Sequence, residues 1–360
     1  MTVCMFPGQG SQIKGMGKGL FNRFPDVTKT ASDILGYSIE KLCLEDPDKK
    51  LAITSHTQPA LYVVNALAWR RYQEDNDTLP SALIGHSLGE YNALEAAGAI
   101  NFEDGLRLVQ QRGILMVAAP PGGMAAVIGL SEIEIRAKLA DNGLDTLDIA
   151  NLNTPNQIIV SGLKADISKA GELLQTDNVG FIPLRTGGAF HSRYMKAAHK
   201  EFETFLSDFS FSPPNIPVIS NLKAIPYESN ALAATLADQI TGSVQWVNSI
   251  RYLLAQGEET FEELGPGRVL SRLVDEIKKT PSSTPSSTQD QAPEIKAEDV
   301  KGQIDNWNRQ HQLGTEVMVD GYQGPLMTRT PAVILFGHRA AIYLEGYNGY
   351  FELSNIRSVT

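Results

Sequence analysis

The chain has 360 residues, 42% of them hydrophobic, and a net charge of −10, which support a large catalytic core with something smaller attached and exclude a lone small binding module. The acidic balance argues against a general nucleic-acid binder, although a local basic patch is compatible with it. Two cysteines (Cys4, Cys43) form neither a disulfide framework nor a zinc spacing, residues Met1–Phe6 lack a secretory pattern, and no run approaches the roughly 18 apolar residues of a membrane span, so the expectation is a soluble cytoplasmic protein.

Val3–Phe6 reads as an apolar strand running into the loop Phe6-Pro7-Gly8-Gln9-Gly10-Ser11-Gln12. A dinucleotide fingerprint needs glycine where Ile13 stands, and a P-loop needs lysine where Met16 stands. The loop is therefore read as a tight turn that delivers a backbone N–H to a site. Next comes the apolar run Leu79–Ile84, ending at Gly85-His86-Ser87-Leu88-Gly89, after which Leu88, Tyr91, Leu94 and Ala97 fall at helical spacing. Glycines at 85 and 89 let strand and helix approach closely around a strained serine. In such an elbow Ser87 is the nucleophile, and the backbone N–H of Leu88 is free to stabilise an oxyanion. Gly-x-Ser-x-Gly alone is a loose pattern; the flanking strand and helix carry the reading. His86 is read as a structural support. A helix from near Phe102 is expected to end at Arg112, which is either a helix-dipole partner or a bidentate clamp for a substrate carboxylate.

Between Gly122 and Arg185 the pattern runs strand (Met124–Leu130), helix (to Asp141, opened by the capping box Ser131-Glu132-Ile133-Glu134), strands Leu147–Ala150 and Gln157–Ser161, helix Lys164–Leu174, strand Phe181–Leu184. That order is a split βαβ, ferredoxin-like arrangement. The chain thus reads as an α/β large domain (1–122 and 187–279) with a ferredoxin-like small subdomain (123–186) inserted, and a cleft between them as the substrate site. His191 follows the glycine turn Gly187-Gly188 at the end of a strand and is the candidate general base for Ser87; His56, His199, His311 and His338 have no such context. A hydrolase-type acid in the order serine, acid, histidine could come from Asp104, Asp141, Asp145, Asp148, Asp166 or Asp177, none with a motif around it. After Lys279 a flexible Ser/Thr/Pro linker (280–297) leads to a short helix with Val300, Ile304 and Trp307, then short strands separated by Asp320-Gly321 and Asn348-Gly349 turns. Residues 298–360 are expected to be a small five-stranded, SH3-like β-module without catalytic groups.

Three separated segments, Phe6–Gln12, Gly85–Tyr91 and Gly188–Ser192, resemble the signatures of malonyl-CoA:acyl-carrier-protein transacylases. Thr57-Gln58-Pro59-Ala60-Leu61, Gln111-Arg112-Gly113, Gly123–Leu130, Asn153-Thr154-Pro155 with Gln157, Ser243-Val244-Gln245-Trp246 and Leu264–Gly267 extend the likeness in order to about residue 277. The resemblance implies a hydrolase-like α/β domain with a ferredoxin-like insert, and it implies roles. Ser87 is nucleophile and His191 base, backbone N–H groups of Gln9 and Leu88 hold the oxyanion, and the main-chain carbonyl of Gln239 orients the histidine. Arg112 pairs with the malonyl carboxylate, Gln58 and Met116 line the acyl site, and Phe190 crowds the acyl α-carbon, favouring malonyl over methylmalonyl. Malonyl-CoA and an acyl-carrier protein are the expected partners, with no metal or redox cofactor and a monomeric state. The tail makes the chain most similar to discrete, trans-acting acyltransferases of polyketide synthases, with a synthase as possible docking partner. Alternatives are a housekeeping fatty-acid transacylase and an acyl hydrolase, the latter typically without the arginine. Lys14, Lys18, Arg185, Arg193 and Lys196 are candidates for a basic rim facing an acidic carrier.

Overall fold

The computed structural model describes residues 2–228, 231–280, 297–319, 324–335, 339–345, 350–353 and 356–358. The chain divides into two compact units, Met1–Ser282 and Ser283–Thr360. In chain order the first unit begins with β1 (Thr2–Phe6), α1 (Leu20–Arg23), α2 (Pro25–Leu35), α3 (Ile39–Glu45), α4 (Thr54–Asp75), β2 (Ala82–Gly85), α5 (Gly89–Ala96) and α6 (Phe102–Ala118). Then follow β3 (Gly123–Ile128), α7 (Glu132–Asp141), β4 (Asp148–Thr154), β5 (Gln157–Gly162), α8 (Lys164–Leu174) and β6 (Gly180–Pro183). It closes with α9 (Lys196–Leu206), β7 (Val218–Ile219), α10 (Leu232–Gln239), α11 (Trp246–Ala255), β8 (Thr260–Glu263) and α12 (Val269–Lys279).

Four parallel strands in the order β7-β2-β1-β8 form the main sheet. β1 and β2 are continuous apolar runs because both faces are covered; all of β2 and all but Thr2 of β1 are buried. Phe6 pairs with Gly85, so the two strands end level. The Pro7–Gln9 loop and the Ser87 elbow consequently leave the same carboxyl edge, where open parallel sheets bind ligands.

α6 departs from expectation. It does not stop at Arg112 but runs to Ala118, so Arg112 lies in mid-helix and is no partner for the helix terminus. Gly113 is a point of close approach rather than a stop signal: a Cβ there would stand 3.0 Å from the Ser55 Cα and 3.2 Å from the Thr54 carbonyl oxygen, at the start of α4.

A second, antiparallel sheet has the order β4-β5-β3-β6, with α7 and α8 as the crossings. The Ser131–Glu134 capping box forms as expected. The chain leaves and re-enters at one place, since Pro121 bridges to Gly188 and the Gly122 N–H donates to the Gly187 carbonyl at 3.3 Å. β4 is longer than its apolar residues suggest, continuing through Asn151, Asn153 and Thr154, all three buried. Two of those polar side chains are tolerated because they have partners: Asn153 meets His86, and the Thr154 hydroxyl donates to Glu276.

In the second unit α13 (Ala297–Gln310) precedes six strands among the described residues, one more than expected: β9 (Glu316–Val319), β10 (Leu326–Met327), β11 (Val333–Leu335), β12 (Arg339–Tyr343), β13 (Tyr350–Glu352) and β14 (Ile356–Ser358). They form two three-stranded sheets, β10-β9-β14 and β11-β12-β13. β10 and β14 are too short to show an alternating pattern. Ile304, Val317, Val319, Ile342, Leu344 and Ile356 close a core of their own. Residues 281–296 of the expected linker, the two turn signals and His338 lie outside the described residues.

Candidate active site

Ser87 stands between β2 and α5 with φ +50°, the left-handed region that a non-glycine residue occupies at a cost of about 1–3 kcal/mol. The flanking glycines are required by contact. A Cβ on Gly85 would lie 1.9 Å from the Gly89 carbonyl carbon, and one on Gly89 would lie 2.0 Å from the Phe6 carbonyl oxygen. The strained turn is tied down by Asn221, whose Oδ1 accepts the Ser87 N–H at 2.6 Å while its Nδ2 donates to the Gly85 carbonyl at 2.6 Å. The main-chain N–H groups of Leu88 and Gln9 have no acceptor among the described residues. Gly8 brings the two segments together: a Cβ on it would sit 2.2 Å from the His86 carbonyl oxygen.

His191 is buried and also has a positive φ, +55°. Its Nδ1 faces two main-chain carbonyl oxygens, Gln239 at 2.9 Å and Gly242 at 3.1 Å. Two acceptors oblige Nδ1 to carry the proton, which leaves Nε2 as an acceptor 2.8 Å from the Ser87 hydroxyl. Burial, reinforced by the Arg112 charge, pulls the imidazole down to about 3, so it is neutral and proton-accepting at physiological pH. No carboxylate touches His191 among the described residues; of the six aspartates with the right chain order, Asp148 pairs with Arg193 and the others also make no contact with the ring.

Arg112 is 1% exposed. Its guanidinium donates to Gln58 Oε1 at 2.9 Å, to Gln239 Oε1 at 2.9 Å and to the Ser87 Oγ at 3.0 Å, and it lies 5.6 Å from the Tyr91 ring centre. All three acceptors are neutral, and no salt bridge to Arg112 forms among the described residues. A buried cation with no ion-pair partner among the described residues, in contact with the Ser87 hydroxyl, can accept an anion as its missing partner.

The remaining expected residues fall around this centre. Gln58 Nε2 donates to the Met116 sulfur at 3.3 Å, and Met116 is buried one turn beyond Arg112 on α6. Phe190 is buried next to His191, with Gly188 leaving room for its ring. His86 contacts Asn153 Oδ1 at 2.9 Å and lies 5.4 Å from the Trp246 ring centre, as a support would. Lys14, Lys18, Arg185 and Lys196 are exposed, whereas Arg193 is held bidentately by Asp148 of β4, its NH2 at 2.6 Å, and is not a free basic group. Asn221 and Glu90 carry the elbow yet were not singled out by sequence. Asn221 sits in Ser220-Asn221-Leu222, a segment with no pattern of its own, and only a buried acid in the helix-opening turn after the nucleophile could have drawn attention to Glu90. No group of three His, Cys, Asp or Glu side chains able to hold a metal occurs among the described residues, and no described helix is long and apolar enough to cross a membrane.

A family model described as an acyl transferase domain matches residues 3–316. The chain belongs to that family. It is 51% identical over 288 residues to the polyketide biosynthesis malonyl CoA-acyl carrier protein transacylase BaeC of Bacillus velezensis, covering 79% of this chain and 100% of that protein. Among solved structures, a malonyl CoA-acyl carrier protein transacylase from Burkholderia pseudomallei aligns with a TM-score of 0.76 at 49% identity, over 79% of this chain and 99% of that one. A malonyl-transacylase in complex with its type II polyketide synthase acyl-carrier protein aligns with a TM-score of 0.74 at 34% identity, covering 78% and 93%. The α/β class of these acyl transferases is that of the first unit.

Proposed function

We propose that the chain is a malonyl-CoA:acyl-carrier-protein transacylase that serves polyketide assembly in trans. The observation that carries the reading is Arg112, a buried guanidinium with no ion-pair partner among the described residues, whose N–H donates to the Ser87 hydroxyl at 3.0 Å. A generic esterase has no use for a cation there; a malonyl carboxylate supplies the missing anion.

The mechanism follows from the placements. The Ser87 hydroxyl gives its proton to His191 Nε2 as its oxygen attacks the malonyl thioester carbonyl. Backbone N–H groups of Leu88 and Gln9 receive the oxyanion. The tetrahedral adduct collapses, the C–S bond breaks, and His191 returns the proton to the coenzyme A thiolate, leaving malonyl-Ser87. The carrier's phosphopantetheine thiol then attacks the ester, again through His191, and Ser87 is regenerated. These bond changes require no metal or redox cofactor. The imidazolium is stabilised by the Gln239 and Gly242 carbonyls in place of a carboxylate. Gln58 holds Arg112 on one side and is itself held by Met116, while Phe190 crowds the α-carbon against a methyl branch.

The domain reading goes with it. Residues 1–122 and 187–279 act as a hydrolase-like large domain and 123–186 as a ferredoxin-like insert, supported by the strand order β4-β5-β3-β6 and the adjacent crossing at Pro121 and Gly188. Residues 280–297 serve as linker, and 298–360, read as an SH3-like module, as a docking element for a synthase. The test is to incubate the full chain with labelled malonyl-CoA, then add acyl-carrier protein. A covalent adduct lost in Ser87→Ala and label moving to the carrier support transfer; label released to water identifies a hydrolase instead. Unchanged loading of every cognate carrier after removal of residues 281–360 would argue against docking through the tail.

A further inference from the structure

Beneath the nucleophile lies a buried acid that the mechanism above does not use. We propose that Glu90 is a positioning residue for selection of carboxylated acyl groups, acting through the side-chain amide of Gln239 to hold Arg112 and Ser87 in register. The proposal rests on the transacylase reading of the same site.

Glu90 is in the first turn of α5 and has no exposed surface. Its carboxylate is surrounded by donors: Oε1 accepts the Asn221 N–H at 2.8 Å and the Tyr227 hydroxyl at 2.8 Å, and Oε2 accepts from Gln239 Nε2. The same Gln239 nitrogen also donates to the Ser87 carbonyl at 2.9 Å, while Gln239 Oε1 accepts from Arg112. A carboxylate can only accept, a guanidinium can only donate, and an amide has one end of each kind. In its ionised form Glu90 thus dictates which way the amide points. Flipped, it would set its NH2 against the Arg112 guanidinium and its oxygen against two acceptors, Glu90 and the Ser87 carbonyl. Of the three contacts that fix the amide, Glu90 alone lies outside the reacting groups.

The same carboxylate anchors the other brace of the elbow. Asn221 is held at its main-chain N–H by Glu90, and its side chain spans the Gly85 carbonyl and the Ser87 N–H. Arg112, Tyr91 and Tyr227 are the charged or titratable groups that act on Glu90. Burial pushes its carboxyl up to about 7, against the pull of Asn221, Tyr227, Gln239 and the Arg112 charge. A neutral glutamine in its place has one donor end, which would meet either the Gln239 NH2 or the Asn221 N–H, so the isosteric change sets donor against donor without changing the volume.

The experiment compares kcat/KM for loading a carrier protein from malonyl-CoA and acetyl-CoA, using the full chain with Glu90→Gln, Gln239→Ala, the double variant and Arg112→Ala, each checked for its melting transition. Gln239→Ala keeps the main-chain carbonyl that holds His191. Glu90→Gln is expected to lower the malonyl-to-acetyl ratio about tenfold, chiefly through the malonyl KM, as loss of an amide anchor on a charged group implies. Gln239→Ala should lower it about as much, and the double variant no further. An unchanged ratio in folded Glu90→Gln, or losses that multiply in the double variant, overturns the proposal. Should Glu90→Gln not fold, Tyr227→Phe removes one donor from the same carboxylate and is expected to lower the ratio about two- to threefold, roughly the worth of one hydrogen bond; no change overturns the proposal. If Arg112→Ala itself leaves the ratio intact, the transacylase reading fails; if it collapses the ratio while Glu90→Gln does not, only the role of Glu90 fails.

Discussion

Ser87 and His191, the proposed nucleophile and base, are both held at positive φ, yet they are held by different means. Ser87 is braced by side chains, namely Asn221 on the turn and Gln239 and Arg112 around it. His191 is braced by main-chain carbonyls of Gln239 and Gly242, and the loop that carries it is pinned by the Asp148–Arg193 pair. A side-chain brace depends on residue identity and is destroyed by a single substitution. A carbonyl brace survives most substitutions and yields only when the backbone moves. The serine half of the site should therefore be chemically fragile and the histidine half mechanically so.

The largest effect that sharpens this contrast is at the nucleophile itself: Ser87→Ala should abolish the malonyl adduct and reduce transfer by at least about 10³-fold. Mass spectrometry after incubation with malonyl-CoA checks it, and a persistent adduct would move the nucleophile elsewhere. Arg112→Ala should cost malonyl transfer about 10²- to 10³-fold, in line with removing one partner of a buried charge-assisted contact, and leave acetyl transfer much less affected. Steady-state kinetics with both esters decide this one. Asn221→Ala deprives the Ser87 N–H of its acceptor and the Gly85 carbonyl of its donor, so a loss of about 1–3 kcal/mol in stability and a lower kcat are expected. Denaturant melts and kinetics that both stay at wild-type values would mean the elbow holds its strain without that brace.

Acid behaviour probes the histidine half. His191 is lowered from 6.5 to about 3 in the folded chain, so above pH 6.5 it adds no pH dependence. As pH falls below 6.5 the unfolded chain binds a proton that the folded chain refuses, and stability is lost down to about pH 3. Glu90, raised from 4.5 to about 7, works in the opposite direction: stability falls as pH rises through that window. His191→Gln removes only the first effect, so the change in its melting temperature on going from pH 7.5 to 5 should lie about 2 °C or more above the wild-type change, whatever the sign of the latter. Parallel curves would mean that burial does not hold the ring neutral. The smallest effect belongs to the mechanical clamp: Arg193→Ala breaks a partly exposed pair worth about 0.2–1 kcal/mol, and a modest, salt-sensitive fall in kcat is expected. A large loss of stability would place more weight on that clamp than its exposure allows.

Legibility followed chain locality. The glycines of the elbow and the alternation of strands and helices between Met124 and Leu184 are local patterns, and the elements formed within a few residues of their expected limits. α6 runs past Arg112-Gly113, which has the look of a helix stop, because the glycine answers to Ser55 of the neighbouring α4, a partner 58 residues upstream that no local pattern reveals. The described part of the tail holds six strands rather than the expected five because strands of two or three residues have no period to read.

What the sequence by itself determined is the chemistry on offer: a serine on a sharp turn, a histidine after a glycine turn, an arginine readable as helix-dipole partner or carboxylate clamp, and an apolar pattern sufficient for an α/β core. What only the tertiary structure decided is how these are joined. Residues 87, 90, 112, 191, 221 and 239 meet because β1, β2 and β7 end at one edge and α6 and α10 pass beside it. Hydrogen-bond direction then selects their roles, since donors and acceptors can be matched only once the side chains are brought within about 3 Å. That matching turned Arg112 from a cation expected at a helix end into a buried charge in mid-helix that donates to the Ser87 hydroxyl, the placement on which the proposed choice of acyl group rests.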